Sequence, residues 1–261
     1  MPRIIIRHGA APMRESMRWF VSISLALFTG LMATGSAQDL DGEINAFDRQ
    51  ITGRQLDLGA LDLKAIVGKN GTSGAPAQNA EASPKAPDAS RYRWTQSAMD
   101  AGREELIKSA GSPAMAQYIR SAYTRPEFDR IDRFFAQYGC ANNDIADALM
   151  ELVIISWEFV NQRQPGTPDY DPAGIRKVRE QIAARFATSN VLSALSDADK
   201  QRFAENFKYE AQLMSNLHRG FKTNPNPKLQ QRLESLHQKL GQSLGLDLVH
   251  LKLTANGFES R

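Results

Sequence analysis

Three prolines frame what this chain can fold into, because each follows a residue that caps helices. Ser112-Pro113, Asp171-Pro172 and Asn226-Pro227 each set a side-chain acceptor before a proline at the first helical position, where a missing N–H has no intrahelical bond to lose. Ser196 with Asp199 adds an acidic variant of the capping box. The apolar residues between these starts recur at helical spacing, which predicts helices over about 97–109, 113–123, 126–138, 144–163, 172–187, 197–219 and 227–244. Gly139 and Gly245 fit helix ends. In the last helix Leu229, Leu233, Leu236, Leu240 and Leu244 form a narrow stripe. The fold class is therefore mainly α, a compact bundle of six to seven helices. Leu246 to Leu253 alternates and predicts a short strand, paired with residues 56–63, where Leu56-Asp57-Leu58 and Leu61-Asp62-Leu63 alternate too. Together they make a minor two-stranded β element.

The helix over 144–163 is the most informative. At about 100° per residue, Asp144, Asp147, Glu151 and Glu158 fall within an arc of about 60°. Nearly everything else around the circumference is apolar, from Ile145 through Leu149, Leu152, Val153 and Trp157 to Val160. A helix this apolar belongs in the middle of a core, so its carboxylate seam is narrow and part-buried.

Upstream of the helices the composition changes. Residues 68–90 are rich in Gly, Ala, Ser and Pro and hold no large apolar side chain, which marks a flexible linker after an N-terminal segment over 38–67. At the start, Met17-Arg18-Trp19 is followed by an apolar run from Phe20 to Met32, then by Gly35 and Ala37 at the −3 and −1 positions of a cut before Gln38. This is the layout of a cleaved signal peptide over residues 1–37, with translation starting at Met17. The run is shorter than the roughly 20 residues that span a bilayer, and no second apolar stretch follows to span one after cleavage. The expected destination is the periplasm or the medium, with the folded unit over 91–261.

Cleavage also changes the charge. Of 32 basic and 29 acidic residues the leader holds Arg3, Arg7, Arg14, Arg18 and Glu15, so the remainder carries 28 of each. The basic pI near 9.0 belongs to the leader, and the exported chain has no bulk attraction for polyanions. No basic patch lines up with aromatics, and nucleic acid is not an expected partner. Ile4-Ile5-Ile6-Arg7-His8-Gly9 resembles the strand-then-RHG opening of histidine phosphatases, but it lies ahead of the cleavage site and outside any α/β core. Cys140 is the single cysteine, so no intramolecular disulfide forms and the thiol is expected to act as a small buried hydrophobe.

One stretch carries a family resemblance. Tyr138-Gly139-Cys140-Ala141-Asn142-Asn143-Asp144-Ile145-Ala146-Asp147-Ala148, then Trp157-Glu158 and Asn161, resembles a family of uncharacterised bacterial exported proteins defined by a domain of unknown function. Members open on YGL-x-x-x-D-x-ADA, continue with W-E-x-x-N and an R-x-x-R-x-Q-like helix, and close on L-x-L-x-x-x-G-F. Arg176 to Gln181 and Leu251 to Phe258 match the last two, and the likeness covers residues 92–258. Cys140 departs from the usual Leu. The resemblance implies the fold and export, and brings no activity, ligand or catalytic residue.

Candidate chemistry rests on carboxylates. Glu151, Glu158 and Glu210 are the catalytic candidates, Glu210 because it falls in the apolar stripe made by Phe203, Phe207, Met214 and Leu217. Its candidate partners are Arg133, Arg176 and Arg179. Asp144, Asp147, Asn206 and His218 are the binding candidates. Each has a structural alternative: Asp144 caps its helix, Asp147 favours the positive first turn, Glu151 and Glu158 face solvent or arginines, and His218 sits near a helix C-terminus. His218, His237 and His250 form no metal-ligand spacing, so no metal and no cofactor is expected. Two functions follow. The first is a non-enzymatic binding or interaction module of the cell envelope, whose partner is an envelope or extracellular protein. The alternative is a carboxylate-dependent hydrolase acting on an envelope polysaccharide, which requires two carboxyls about 5–10 Å apart across one cleft.

Overall fold

The structure, a computed structural model, describes residues 67, 89–110, 112–161, 171–188, 191, 192, 195–223 and 227–261, without the side chains of 219–223, 228, 229 and 232. Among them seven α-helices follow one another: α1 (Gln96–Ser109), α2 (Pro113–Ala122), α3 (Arg125–Ala136), α4 (Ile145–Val160), α5 (Pro172–Thr188), α6 (Asp197–Thr223) and α7 (Pro227–Ser243). A 3₁₀ turn (Leu248–His250) leads into β1 (Leu251–Thr254) and β2 (Gly257–Ser260). The expected mainly α bundle with a small two-stranded sheet is the fold observed. The expected signal peptide, the segment over 38–66 and most of the expected linker over 68–90 lie outside the described residues.

Local chemistry explains the helix starts. Ser112 Oγ accepts from Met115 N at 3.1 Å, Asp171 Oδ1 from Ala173 N at 2.8 Å, and Ser196 and Asp199 exchange hydrogen bonds across the first turn of α6. Asn226 lies outside the described residues. Gly139 and Gly245 take positive φ (86° and 74°) just past α3 and α7. Helix α6 runs through Gly220 to Thr223, beyond its expected stop at 219, because one glycine inside a helix costs only about 1 kcal/mol.

Helix α4 is the centre of the molecule. All but two of its sixteen residues are buried, and α5, α6, α7 and the 3₁₀ turn pack around it. Two hydrophobic clusters result. The first joins α4 to α5, to Phe203, Phe207 and Ala211 of α6, and to the C-terminal arm through Leu251 and Phe258. The second joins α1, α2 and α7 to Tyr209, Leu213, Met214 and Leu217 of α6. Phe159, near the end of α4, belongs to the second.

The C-terminal arm differs from expectation. Residues 248–250 form a 3₁₀ turn rather than strand, and β1 pairs antiparallel with β2; the expected partner segment 56–63 lies outside the described residues. Gly257 takes φ 95° directly after the two-residue turn Ala255–Asn256, which lets the chain reverse at once. The hairpin lies on α5, where Gly174 admits Thr254 O so closely that a Cβ would sit 2.1 Å from it. Trp157 Nε1 donates to Leu251 O at 3.0 Å and its ring meets Phe258, while Asn161 Nδ2 donates to Leu248 O at 3.0 Å.

Candidate functional site

The acidic seam of α4 is where sequence and structure meet. Asp144 is the N-cap: Oδ1 accepts from Ala146 N at 2.9 Å, and Oδ2 accepts from the Ser90 hydroxyl at 2.9 Å. Ser90, which composition assigned to the linker, is itself buried, and its carbonyl accepts from Ile145 N. One turn on, Asp147 faces Arg179 of α5, with Nε at 2.6 Å from Oδ1 and Nη2 at 3.1 Å from Oδ2, and Oδ2 also accepts from Ala141 N at 2.6 Å. Of the two contacts, Nη2 to Oδ2 is a charge-assisted hydrogen bond, and Nε to Oδ1 is a close approach of opposite charges. Burial works against the charge on Arg179, but the bonds and charge of Asp147 outweigh it and hold the guanidinium above its ordinary value. Arg179 is therefore committed to Asp147 and is not the partner of Glu210.

Of the structural alternative, solvent or arginines, the solvent half does not hold: Glu151 and Glu158 are 1% and 4% exposed. The helix is so apolar that every face of it is covered, including the seam. Burial pushes the Glu151 carboxyl up to about 8, against the pull of Lys208 and with the help of Asp132, Asp147 and Asp144. Its Oε2 has no hydrogen-bond partner. The charged neighbours are thus a lysine and an aspartate that the sequence reading did not single out.

Asp132 of α3 and Lys208 of α6 form an ion pair in which both side chains are only 2% exposed. Beside it, Glu205 Oε1 accepts from Trp94 Nε1 at 3.0 Å and from Gln201 Nε2 at 2.9 Å, and burial raises its carboxyl above the usual range. The Tyr123 hydroxyl lies 3.1 Å from Asn206 Oδ1 and 3.4 Å from Glu205 Oε2. Gly102 makes room for it: a Cβ there would meet the hydroxyl oxygen at 2.8 Å. The signal for this cluster lay in the helical spacing. Phe128, Ile131 and Phe135 place Asp132 on the buried face of α3, and Ala204 and Ala211 do the same for Lys208 on α6.

The other candidates are dispersed. Glu210 is buried on α6, and Asn206 is a half-buried acceptor for Tyr123. His218 is not at a helix end; α6 continues past it, and its ring stands edge-on to Phe159 at 5.4 Å. His237 of α7 stacks on the same phenylalanine at 4.6 Å. It is fully buried, neither ring nitrogen has a hydrogen-bond partner, and burial, then His218, holds it down at about 3. Cys140 is half-buried, with its thiol raised by burial. Among the described residues no group of three or more His, Cys, Asp and Glu side chains is arranged to hold a metal. No helix there is long and apolar enough to cross a membrane. A cleft of about 160 Å³ lies between α7 and the 3₁₀ turn, lined by Gln238, Gln242, Asp247 and His250 among others and by none of the candidate residues.

The segments that carry the resemblance meet one another in space. The Asp147–Arg179 pair joins two of them, Trp157 and Asn161 hold the arm, and Gly257 lies against Gln181, where a Cβ would come within 2.8 Å of its Oε1. The sequence model of one family, described as a family of unknown function (DUF6683), matches residues 54–261. That span contains every one of these segments and starts upstream of the 92–258 stretch that the motifs mark. No curated protein and no solved structure matches the chain.

Proposed function

The chain belongs to the family of unknown function DUF6683, and from that premise we propose that it is a non-enzymatic interaction module, exported to the cell envelope, whose partner is an envelope or extracellular protein. One observation carries the reading: the candidate carboxylates are occupied by the fold. Asp144 serves the cap, Asp147 serves Arg179, and Glu151, Glu158 and Glu210 are buried in the helix packing. Polysaccharide hydrolysis requires two carboxyls facing one open cleft with room for a sugar ring. The cleft between α7 and the 3₁₀ turn contains none of the five. Export is supported by the three-part leader over residues 1–37.

The test has two arms. Cell fractionation with N-terminal sequencing should recover the protein outside the cytoplasm, starting at Gln38; a cytoplasmic chain with an intact leader would refute export. In the second arm, crosslinking in living cells should capture a partner that then binds the purified protein directly. Release of sugar fragments from purified envelope polysaccharide, abolished by Glu151→Gln or Glu210→Gln in a folded protein, would instead establish the hydrolase.

A further inference from the structure

The junction of α3, α4 and α6 holds more acid than its bases neutralise. Asp132, Glu151, Glu205 and Lys208 converge there, each no more than 3% exposed. Lys208 is bonded to Asp132 Oδ1, while Asp132 Oδ2 and Glu151 Oε2 have no hydrogen-bond partner. The titratable and charged groups facing Glu151 can be named element by element. Helix α3 contributes Asp132, and its Arg125 is bonded to Asp129 and Asn143. Helix α6 contributes Lys208, which also acts on Glu205, and α4 itself contributes Asp144 and Asp147. Helix α5 contributes Arg179, already paired with Asp147, and α7 contributes His237, which faces Phe159 two turns further along α4. Tyr92 and Cys140 complete the surroundings.

We propose that this junction is a proton-held latch: Glu151 lets α4 close against α3 and α6 only while it carries a proton, and the latch loosens as the pH rises. The physical reason is local. A deprotonated Glu151 sets a second anion beside one ammonium where both side chains are buried. Either Lys208 turns toward it and abandons Asp132, or water enters to solvate it. Both routes break the Asp132–Lys208 bond between α3 and α6 at this junction, leaving the Gln212 Nε2 to Glu127 Oε2 bond further along as a polar tie. The proton goes to solvent when the seam opens and returns when it closes, so opening is reversible. The linkage has a definite sign. A buried carboxyl near 8 keeps its proton in the closed form and loses it in the open one, so the opening constant rises about tenfold per pH unit from ~4.5 and levels off above about pH 8.

Hydrogen exchange followed by mass spectrometry on the whole purified chain, corrected for intrinsic exchange rates, tests this between pH 5 and 9. Protection in α3 and in α6 around Lys208 should fall by about tenfold per unit and then plateau, and Glu151→Gln should abolish the pH dependence while keeping the protection of the acid form. Wild-type protection that is flat across this range, or an unchanged slope in the variant, overturns the latch. Should Glu151→Gln fail to fold, ¹³C titration of the Glu151 carboxyl in the wild-type chain decides the matter: titration near pH 8 supports the latch, and titration below about pH 6 ends it.

Discussion

At the scale of single residues, two buried titratable groups, Glu151 on α4 and His237 packed against its end, act in opposite directions. His237 is neutral in the fold and held at about 3, whereas an unfolded histidine titrates near 6.5. The unfolded chain therefore binds the extra proton first, and stability is lost as the pH falls from about 6.5 toward 3, by about 1.4 kcal/mol per unit. His237→Leu keeps the volume and removes two unpartnered ring nitrogens. Urea titrations at pH 4 to 7 should find the variant more stable at the acid end, with the acid slope reduced by one proton. An unchanged slope would mean that another group, not His237, takes up the proton. The Asp132–Lys208 pair makes a second prediction at this scale. Asp132→Ala leaves the ammonium buried and unpaired, which costs about 3–5 kcal/mol, whereas Asp132→Leu with Lys208→Met replaces both charges by packing and should recover most of that loss. A double-mutant cycle in denaturant measures the difference. If the double variant is as unstable as the worse single one, the pair's value lies outside its electrostatics.

At the scale of elements, the arm formed by the 3₁₀ turn and the hairpin is held by shape as much as by bonds. Gly174→Ala would set a methyl 2.1 Å from Thr254 O, so α5 and the hairpin must separate. Overpacking of this kind costs about 1–3 kcal/mol, and a backbone oxygen cannot swing away as a side chain can. We expect a lower melting temperature and faster exchange in β1 and β2, with α1 and α2 little changed; equal loosening everywhere would contradict a local clash. The arm is also where the sequence was least legible. Leu251 and Leu253 do alternate, but the pattern names no partner, and the local reversal at Asn256-Gly257 decided it. The helices were legible because a cap and a proline act locally and need no knowledge of the rest of the chain. The candidate site was legible by halves. The seam of α4 could be wound up from residue spacing, whereas its cation comes from Lys208, more than fifty residues away on another helix. Only packing α4 against α6 reveals that Glu151 is buried and that its nearest counter-charge is already taken by Asp132.

At the scale of the whole molecule, α6 decides whether the two hydrophobic clusters behave as one domain. Its 27 residues extend about 40 Å at 1.5 Å per residue, long enough to run through both. Phe207 and Ala211 lie in the first cluster and Tyr209 and Met214 in the second, so unwinding the middle of α6 exposes both. Helix α4 adds a second tie, since Leu152 and Trp157 lie in the first cluster and Phe159 in the second. Helices α3 and α7 also reach both clusters, through Phe128 with Phe135 and Leu236 with Leu240, and clusters joined by continuous helices have no seam along which to separate, because breaking a helix midway exposes backbone groups as well as apolar surface. Phe207→Ala and Met214→Ala, each at a site with no exposure, should therefore cost about 2–5 kcal/mol and lower one shared thermal midpoint. Exchange in α1 and α2 and exchange in α5 and the hairpin, followed together through the melt, should move by the same amount in either variant. If Met214→Ala shifts only α1 and α2 while α5 and the hairpin keep the wild-type midpoint, the clusters are separate folding units and α6 is merely a rod between them. Shared movement instead makes α6 the element whose loosening at the Lys208 junction is felt in both clusters at once.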